Sequence, residues 1–557
     1  MPTNSKFDDL LVQLETGKWN FMFYIATGYW NMCLAPHILG MAFLAPQVDY
    51  YCVPPENGYT VTSYSFGLSG KNITSTDNCF YLTNSSGGGG FVKEGCTSWS
   101  YDNTTFTSTL TSQFDLVCSS EYLRATFSSI YMFGTFFGAP INGNLSDRLG
   151  RKTTLTVGTL IYFSLAIGSC WITVFYAILV VRFILGLLHP AILQSGYILA
   201  LEVTEPKHRS VVGIMLSLPW AVGTMAWGGV AYLVREWHWL QLIITLPSFA
   251  MLPALWFLDE SPRWLIVNGR FDRALRVLRK AARWNKTTLP STEELTLLMR
   301  AIQKESTIAK EAARNGNCEA LTCTQKISHC LRRLLILFRT PKLRLITVVL
   351  CFNFFMVAAT FYGMSLNAIN YSVDPFLYMV VGGLVEMPGY TLVAPIVGRL
   401  GRKWPNIVCF FTSGTVIMAL AFIPPGIYWL VMTLAMVGKM CISAAFQILY
   451  LYCMELFPTE VRLQGLGFTT MASRLGSMFS PFITDYLGPL YPSAPSLTFG
   501  IAAFLAGLSM LPLRETLGAK LPDTISDIET PRRHSCYRRE NSCSDTEDEL
   551  EMAKLRA

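Results

Sequence analysis

Charge is what this chain has least of. Asp, Glu, Lys and Arg together make up 15% of its 557 residues, against about 25% in an ordinary soluble protein. It holds only 6 His, and none stands at metal-ligand spacing with Cys, Asp or Glu. No phosphate-cradling glycine loop, nucleophile elbow or nucleotide-binding motif occurs. These absences argue against an enzyme, a resident cofactor and direct drive by ATP. They also argue against a nucleic-acid binder, since the net charge of +7 is carried by loops and not by one helix face. The first eighteen residues are polar and the apolar stretch after them is too long for a signal h-region, so no cleavable secretory signal is expected.

Apolar length is what the chain has in excess. Hydrophobic residues reach 51%, and a bilayer core needs about 20 mostly apolar residues per helix. Windows of that length predict twelve spans. The first half supplies Trp19–Leu44, Arg124–Leu145, Thr153–Ile172, Phe175–Leu201, Val211–Val234 and Trp239–Leu258. The second half supplies Leu345–Leu366, Phe376–Leu400, Trp404–Ile423, Ile427–Cys453, Leu466–Tyr486 and Ser496–Leu513. An all-α membrane protein follows, with a terminus at 1–18, a six-helix half at 19–258, a linker at 259–344, a second half at 345–514 and a tail at 515–557.

Lys and Arg set the orientation. The loop at 46–121 holds only Lys71 and Lys93, whereas the linker holds eighteen basic residues. The linker and both termini are therefore expected in the cytoplasm. The long loop is expected outside, where Cys52, Cys79, Cys96 and Cys118 can form two disulfides in any of three pairings. Sequons at Asn72, Asn84 and Asn103 agree with that side.

The two halves repeat each other. Arg-Leu-Gly-Arg-Lys occurs at Arg148–Lys152 and again at Arg399–Lys403, after spans two and eight. Glu202 and Arg209 recur as Glu455 and Arg462 after spans four and ten, and Glu260 recurs as Glu515 after spans six and twelve. An ordered set of matches after corresponding helices marks two copies of one six-helix unit, an arrangement that binds substrate midway between the halves.

These same residues carry a family resemblance. Gly143 through Asp147, Gly150, Arg151 and Lys152 resemble the loop 2–3 motif of the major facilitator superfamily. Asp259-Glu260-Ser261-Pro262-Arg263-Trp264 and Glu455 through Pro458, Thr459 and Arg462 resemble its organic cation, zwitterion and anion transporter family, solute carrier family 22. The stretches at Val437–Lys439 and Ala472–Ser477 are most similar to the carnitine and ergothioneine transporters. The resemblance spans the chain up to about Leu521 and implies a monomeric plasma-membrane transporter.

Charges at the helix ends are candidate gates. Glu202, Glu455, Glu260 and Glu515 can pair with Arg148, Arg151, Arg399 and Arg402 when the inner ends of the halves approach, with Asp147, Arg209 and Arg462 beside them. Breaking such pairs would open the cytoplasmic side. Alternatively these charges only mark the membrane boundary.

Charges at membrane depth are expensive and functional by default. Arg182, Glu386, Lys439 and Arg474 fit. Pro388 is expected to open the helix near Glu386 and leave a water-accessible carboxylate. Arg474 offers a planar fork to a substrate carboxylate. Glu386 and aromatic faces suit a substrate ammonium, the aromatic candidates being Trp220, Tyr362, Phe446 and Tyr450. The resemblance places binding residues at Tyr362, Phe446, Tyr450 and Gln241. Its cation-selective members tend to be acidic where this chain has Arg474. Asn31 and His37 are polar in an apolar run. The bland alternative is that Glu386 or Lys439 pairs internally with Arg474 and holds two helices together.

A transporter of small organic cations or zwitterions such as carnitine is expected, with sodium or proton coupling open. An organic anion exchanger, supported by Arg474 and Lys439, is the first rival; a ligand sensor that moves nothing is the second. Asp272–Trp284 reads as an amphipathic helix lying on the membrane or the bundle. The tail after Asp523 reads as disordered, with candidate phosphorylation sites at Ser535 and Ser542.

Overall fold

In a computed structural model the apolar runs become twelve helices in two bundles of six. It describes residues 6–53, 79–84, 91–250, 252–314, 336–371, 374–424, 426–519, 522 and 524–529. The first bundle contains α1 (Lys18–Ile38), α2 (Tyr122–Leu149), α3 (Arg151–Gly168), α4 (Phe175–Glu202), α5 (Leu218–Leu233) and α6, which opens at Trp237–Thr245 and continues in short turns to Phe257. The second contains α7 (Pro341–Leu366), α8 (Pro375–Thr391), α9 (Lys403–Leu420), α10 (Tyr428–Leu456), α11 (Arg462–Phe482) and α12 (Ala494–Ser509). Among the described residues, seven continuous helical stretches are long and apolar enough by themselves to cross a bilayer, α4, α7 and α10 among them.

Small residues let these helices touch. A Cβ on Gly186 of α4 would fall 2.1 Å from the Tyr131 carbonyl of α2, so no larger side chain fits there. The second bundle repeats the device: a Cβ on Gly476 of α11 would lie 2.1 Å from the Phe355 carbonyl of α7.

The bundles meet along α2 with α11 and α5 with α8. Ser129 donates to the Met478 carbonyl at 2.7 Å, and Arg124 to the Asp485 carbonyl at 3.1 Å. Phe376, at the start of α8, stacks on Phe43 with centroids 5.1 Å apart and is flanked by Phe106 and Tyr232. All of these except Ser129 lie at the ends of the bundle nearest the α1–α2 loop.

That loop is not wholly irregular. Strand β1 (Tyr50–Cys52) pairs antiparallel with β4 (Trp99–Tyr101), and β2 (Phe80–Asn84) with β3 (Phe91–Gly95). The two small sheets qualify the all-helical expectation. Of three possible pairings the structure forms Cys52–Cys96 and Cys79–Cys118, with Cα separations of 5.9 and 5.6 Å. Asn103 is exposed and Asn84 ends β2, whereas Asn72 lies outside the described residues.

Three segments outside the spans are ordered: the linker helix as expected, and Lys6–Leu14 and Ile525–Glu529 beyond what the sequence implied. Residues Lys6–Leu14 form a helix that buries Phe7, Leu10, Leu11 and Leu14. Linker helix Phe271–Asn285 buries Ala274, Leu278, Ala281 and Ala282 and settles on the bundle. Its Asn285 accepts from the Trp19 amide and donates to the Leu14 and Glu15 carbonyls at 3.0 to 3.2 Å. In the tail, Ile525–Glu529 is helical, and the Glu529 carboxylate accepts the Lys342 amide at 2.9 Å, capping α7. The expectation of disorder from Asp523 is therefore corrected as far as Glu529; Ser535 and Ser542 fall outside the described residues.

Candidate substrate site and the repeated charge networks

The repeated pentapeptide makes the same turn twice. Gly150 and Gly401 take φ of 109° and 89°, a region that favours glycine. That turn starts α3 and α9 with free amides facing a carboxylate. Glu260 accepts from the Lys152 amide at 3.0 Å, and Glu515 accepts from the Arg402 and Lys403 amides at 2.9 and 3.1 Å. A carboxylate at a helix N-terminus is stabilised by the unsatisfied amides and the helix dipole. Burial pushes the Glu515 pKa up, but amides of Arg402, Thr516, Leu517 and Lys403 outweigh it and hold the carboxyl below its usual range.

The arginines of the motif face the ends of α4 and α10. Arg151 lies 2.8 Å from Asp147 and 3.4 Å from Glu202. Arg402 lies 2.9 Å from Glu455. Arg209 reaches Asp8 at 2.6 Å and donates to the Thr204 carbonyl, while Arg462 donates to the Phe457 carbonyl. Arg148 and Arg399 are exposed. Each of these ion pairs closes within one half. The expected pairing between halves is thus not what this conformation makes: the tight turns at Gly150 and, after the helical segment Val393–Leu400, at Gly401 bring each arginine to its own bundle's helix ends.

At membrane depth the charges sort differently. Glu386 on α8 and Lys439 on α10 lie 3.3 Å apart, with side-chain exposures of 1% and 0%. Gly382 leaves room for the ammonium, since a Cβ there would sit 2.6 Å from Lys439 Nζ. Tyr390, one turn beyond Glu386, donates to its other oxygen at 3.1 Å. Helix α8 runs through Pro388 without opening at Glu386, so the expected water-accessible carboxylate is instead buried and paired.

Arg474 on α11 is half-buried, and no carboxylate of the described residues lies within ion-pair distance of it. The Tyr362 hydroxyl is in hydrogen-bonding reach of Arg474 and also feels the Glu386 charge, so it stands between the two. Tyr450 feels the Arg474 charge as well. Phe446 and Tyr450 share one face of α10 with ring centroids 5.5 Å apart, and Phe361 lies 6.0 Å from Phe446. The structure thus gathers Glu386, Lys439, Arg474, Tyr362, Phe446 and Tyr450 from α7, α8, α10 and α11.

The first-half candidates lie elsewhere. Asn31 donates to the Leu216 carbonyl at 2.8 Å, bracing α1 against the turn before α5. Gln241, 4% exposed, donates to Ser169 at 2.8 Å and ties α6 to the end of α3. It shares a cavity of about 10 Å³ with Arg182, which donates to the His37 carbonyl at the end of α1. Trp220 is half-buried on α5, next to Ala221, whose carbonyl approaches Gly383 of α8. Tyr390 and the buried group Tyr131, Tyr162 and His189 are absent from the sequence reading. Tyr390 was findable as the i+4 neighbour of Glu386; the other three come together only through packing.

Two six-helix halves with charges held between helices define a membrane transporter of the major facilitator fold. The chain belongs to the sugar (and other) transporter family, whose model matches residues 52–521. It is 30% identical over 538 residues to an organic cation transporter protein of Drosophila melanogaster, covering 94% of each chain. It is 31% identical over 524 residues to organic anion transporter 3 of Sus scrofa, covering 92% of each. Among solved structures, the inward-open xylose transporter XylE of E. coli aligns with a TM-score of 0.57 at 17% identity, covering 93% of this chain and 98% of that one; this likeness speaks for the fold.

Proposed function

We propose that the chain carries small organic ions bearing a carboxylate across the plasma membrane by alternating access, with carnitine-like zwitterions as the preferred class. The observation that carries this reading is Arg474, a half-buried guanidinium without an acidic partner among the described residues, beside the Tyr362 hydroxyl and an aromatic wall. Such a fork binds a carboxylate through two charge-assisted hydrogen bonds. The rings of Phe446 and Tyr450 suit a quaternary ammonium at about 0.5–2 kcal/mol per contact, and Glu386 supplies the opposite charge when the ligand displaces Lys439.

The Glu386–Lys439 pair favours a second reading. Counting Arg474, the three charges sum to +1, which suits an organic anion exchanged for another. The relatives include carriers named for cations and for anions, in keeping with a site of mixed charge.

The basic linker and both termini face the cytoplasm in this proposal, and the disulfide-bonded loop faces outward. The charge networks within each half keep it rigid while it rocks. Contacts of α2 with α11 and of α5 with α8 part to admit substrate from outside. The protein works as a monomer, and sodium or a proton is its coupling ion if uptake is concentrative.

Uptake of labelled carnitine, a tetraalkylammonium and a dicarboxylate, with and without sodium and across a pH step, separates the readings. Carnitine accumulation that is lost in Arg474→Ala at retained surface expression supports the zwitterion carrier. A preference for dicarboxylate indifferent to Glu386→Gln supports the exchanger, and binding without accumulation indicates a sensor.

A further inference from the structure

His189 carries an unmatched hydrogen-bonding atom near Arg474, a cation with no acidic partner among the described residues. It lies on α4 with 0% exposure, and its Nε2 has no hydrogen-bond partner among the described residues. Leaving such a group unmatched is unfavourable unless something fills it. Its other nitrogen, Nδ1, lies 2.9 Å from the Tyr131 hydroxyl, which in turn lies 2.8 Å from the Tyr162 hydroxyl. The next peptide is braced too, because Asn142 of α2 donates to the Pro190 carbonyl at 2.8 Å. The imidazole is thus held from α2 and α3, while Ser129, two residues before Tyr131, donates to the carbonyl of Met478, about one turn beyond Arg474, which brings Arg474 of the opposite half near this group.

The direction of the hydroxyl chain assigns the proton. If Tyr162 donates to Tyr131 and Tyr131 to His189 Nδ1, every hydroxyl proton has a partner and only the Nε2–H is left over. In the reverse direction the Tyr162 proton has no partner in the chain and Nε2 is an empty lone pair. The first direction leaves fewer unmatched groups, and it makes Nε2 a donor. A neutral imidazole donor near a guanidinium that pairs with no carboxylate of the described residues fits an anionic group.

We propose that His189 Nε2–H and Arg474 receive the substrate carboxylate together, one donor from each half, which rests on the carboxylate reading above. A carboxylate so held bridges the two bundles and draws α4 toward α11. A cation lacking a carboxylate cannot make that bridge. His189 is then a specificity-determining residue, and Tyr131 a positioning residue that fixes its tautomer.

Half-saturation constants for carnitine and for tetraethylammonium, measured in cells expressing the full chain and normalised to surface protein, test this. A hydrogen bond to a charged group is worth about 1.5–3 kcal/mol, so His189→Ala should raise the carnitine constant by about tenfold or more. The tetraethylammonium constant should stay put. His189→Gln, which retains an N–H donor, should recover much of the loss, and Tyr131→Phe should fall between. If the alanine variant fails to reach the surface, His189→Met, closer in volume and without a donor, carries the same expectation. Equal shifts for both substrates, or an unmoved carnitine constant, would overturn the proposal. A wild type that takes up no carboxylate substrate sinks this inference together with the proposed function. Carnitine uptake lost in Arg474→Ala but intact in His189→Ala sinks this inference alone.

Discussion

Glu386 and Lys439 lie 3.3 Å apart with neither side chain more than 1% exposed. Desolvating two charges is expensive, and breaking a buried pair from one side leaves the other uncompensated. Either Glu386→Gln or Lys439→Met should therefore destabilise the protein by about 3–5 kcal/mol, while the double variant should recover much of it. Thermal unfolding of the purified protein as a double-mutant cycle measures this coupling. Additive losses would mean the pair contributes no mutual stabilisation.

Glu515 predicts a pH dependence with a definite sign. Burial raises its pKa, but four backbone amides lower it further, so the net shift is downward. A carboxylate depressed on folding contributes stability that is fully present above its unfolded value, near 4.5, and is lost as pH falls through the folded value. Glu515→Gln should cost about 0.5 kcal/mol at neutral pH, discounting for exposure. The gap between variant and wild type should narrow as pH falls from 5 to 3. A gap that widens on acidification contradicts the assignment.

The helix at Lys6–Leu14 should be part of the folded unit. Phe7 is 2% exposed and Leu10 fully buried, and Asp8 binds Arg209 at 2.6 Å. Leu10→Ala should cost about 2–4 kcal/mol by cavity formation. Asp8→Asn should cost only about 1 kcal/mol, as expected for a partly exposed pair. Unfolding midpoints that leave Leu10→Ala indistinguishable from wild type would show that the segment is not docked.

The pairing of the loop cysteines is directly checkable. Peptide mapping without reduction should recover Cys52 joined to Cys96 and Cys79 joined to Cys118, whose sequence separations are 44 and 39 residues. Paired replacement of Cys79 and Cys118 by serine should leave the other bond intact and cost about 2–4 kcal/mol. Recovery of Cys52 joined to Cys79 would refute the fold of this loop.

The spans and the duplication were legible in the sequence because both are written in local pattern. Apolar runs need only length, and the Arg-Leu-Gly-Arg-Lys repeat carries its own turn glycine, Gly150 or Gly401. The carboxylates that seat on those turns, Glu260 and Glu515, were legible as repeats but not as helix caps, since each partner lies about a hundred residues away. Phe7, Leu10, Leu11 and Leu14 show helical spacing, yet they stand among enough charge to read as a tail. Glu386, Lys439 and Arg474 were visible as costly charges. Which of them pairs with which depends on how α8, α10 and α11 rotate, and single-sequence patterns do not contain that rotation. Tyr131, Tyr162 and His189 were hidden for the same reason: three helices must pack before they meet.

The central claim is that Arg474 selects the carboxylate. The decisive measurement is the ratio of carnitine to tetraethylammonium uptake efficiency, kcat/KM, in wild type and in Arg474→Ala. Loss of charge-assisted hydrogen bonds worth about 1.5–3 kcal/mol should lower that ratio by about tenfold to a hundredfold, with tetraethylammonium uptake undiminished. A ratio unchanged by the substitution, with carnitine still carried, would contradict the account.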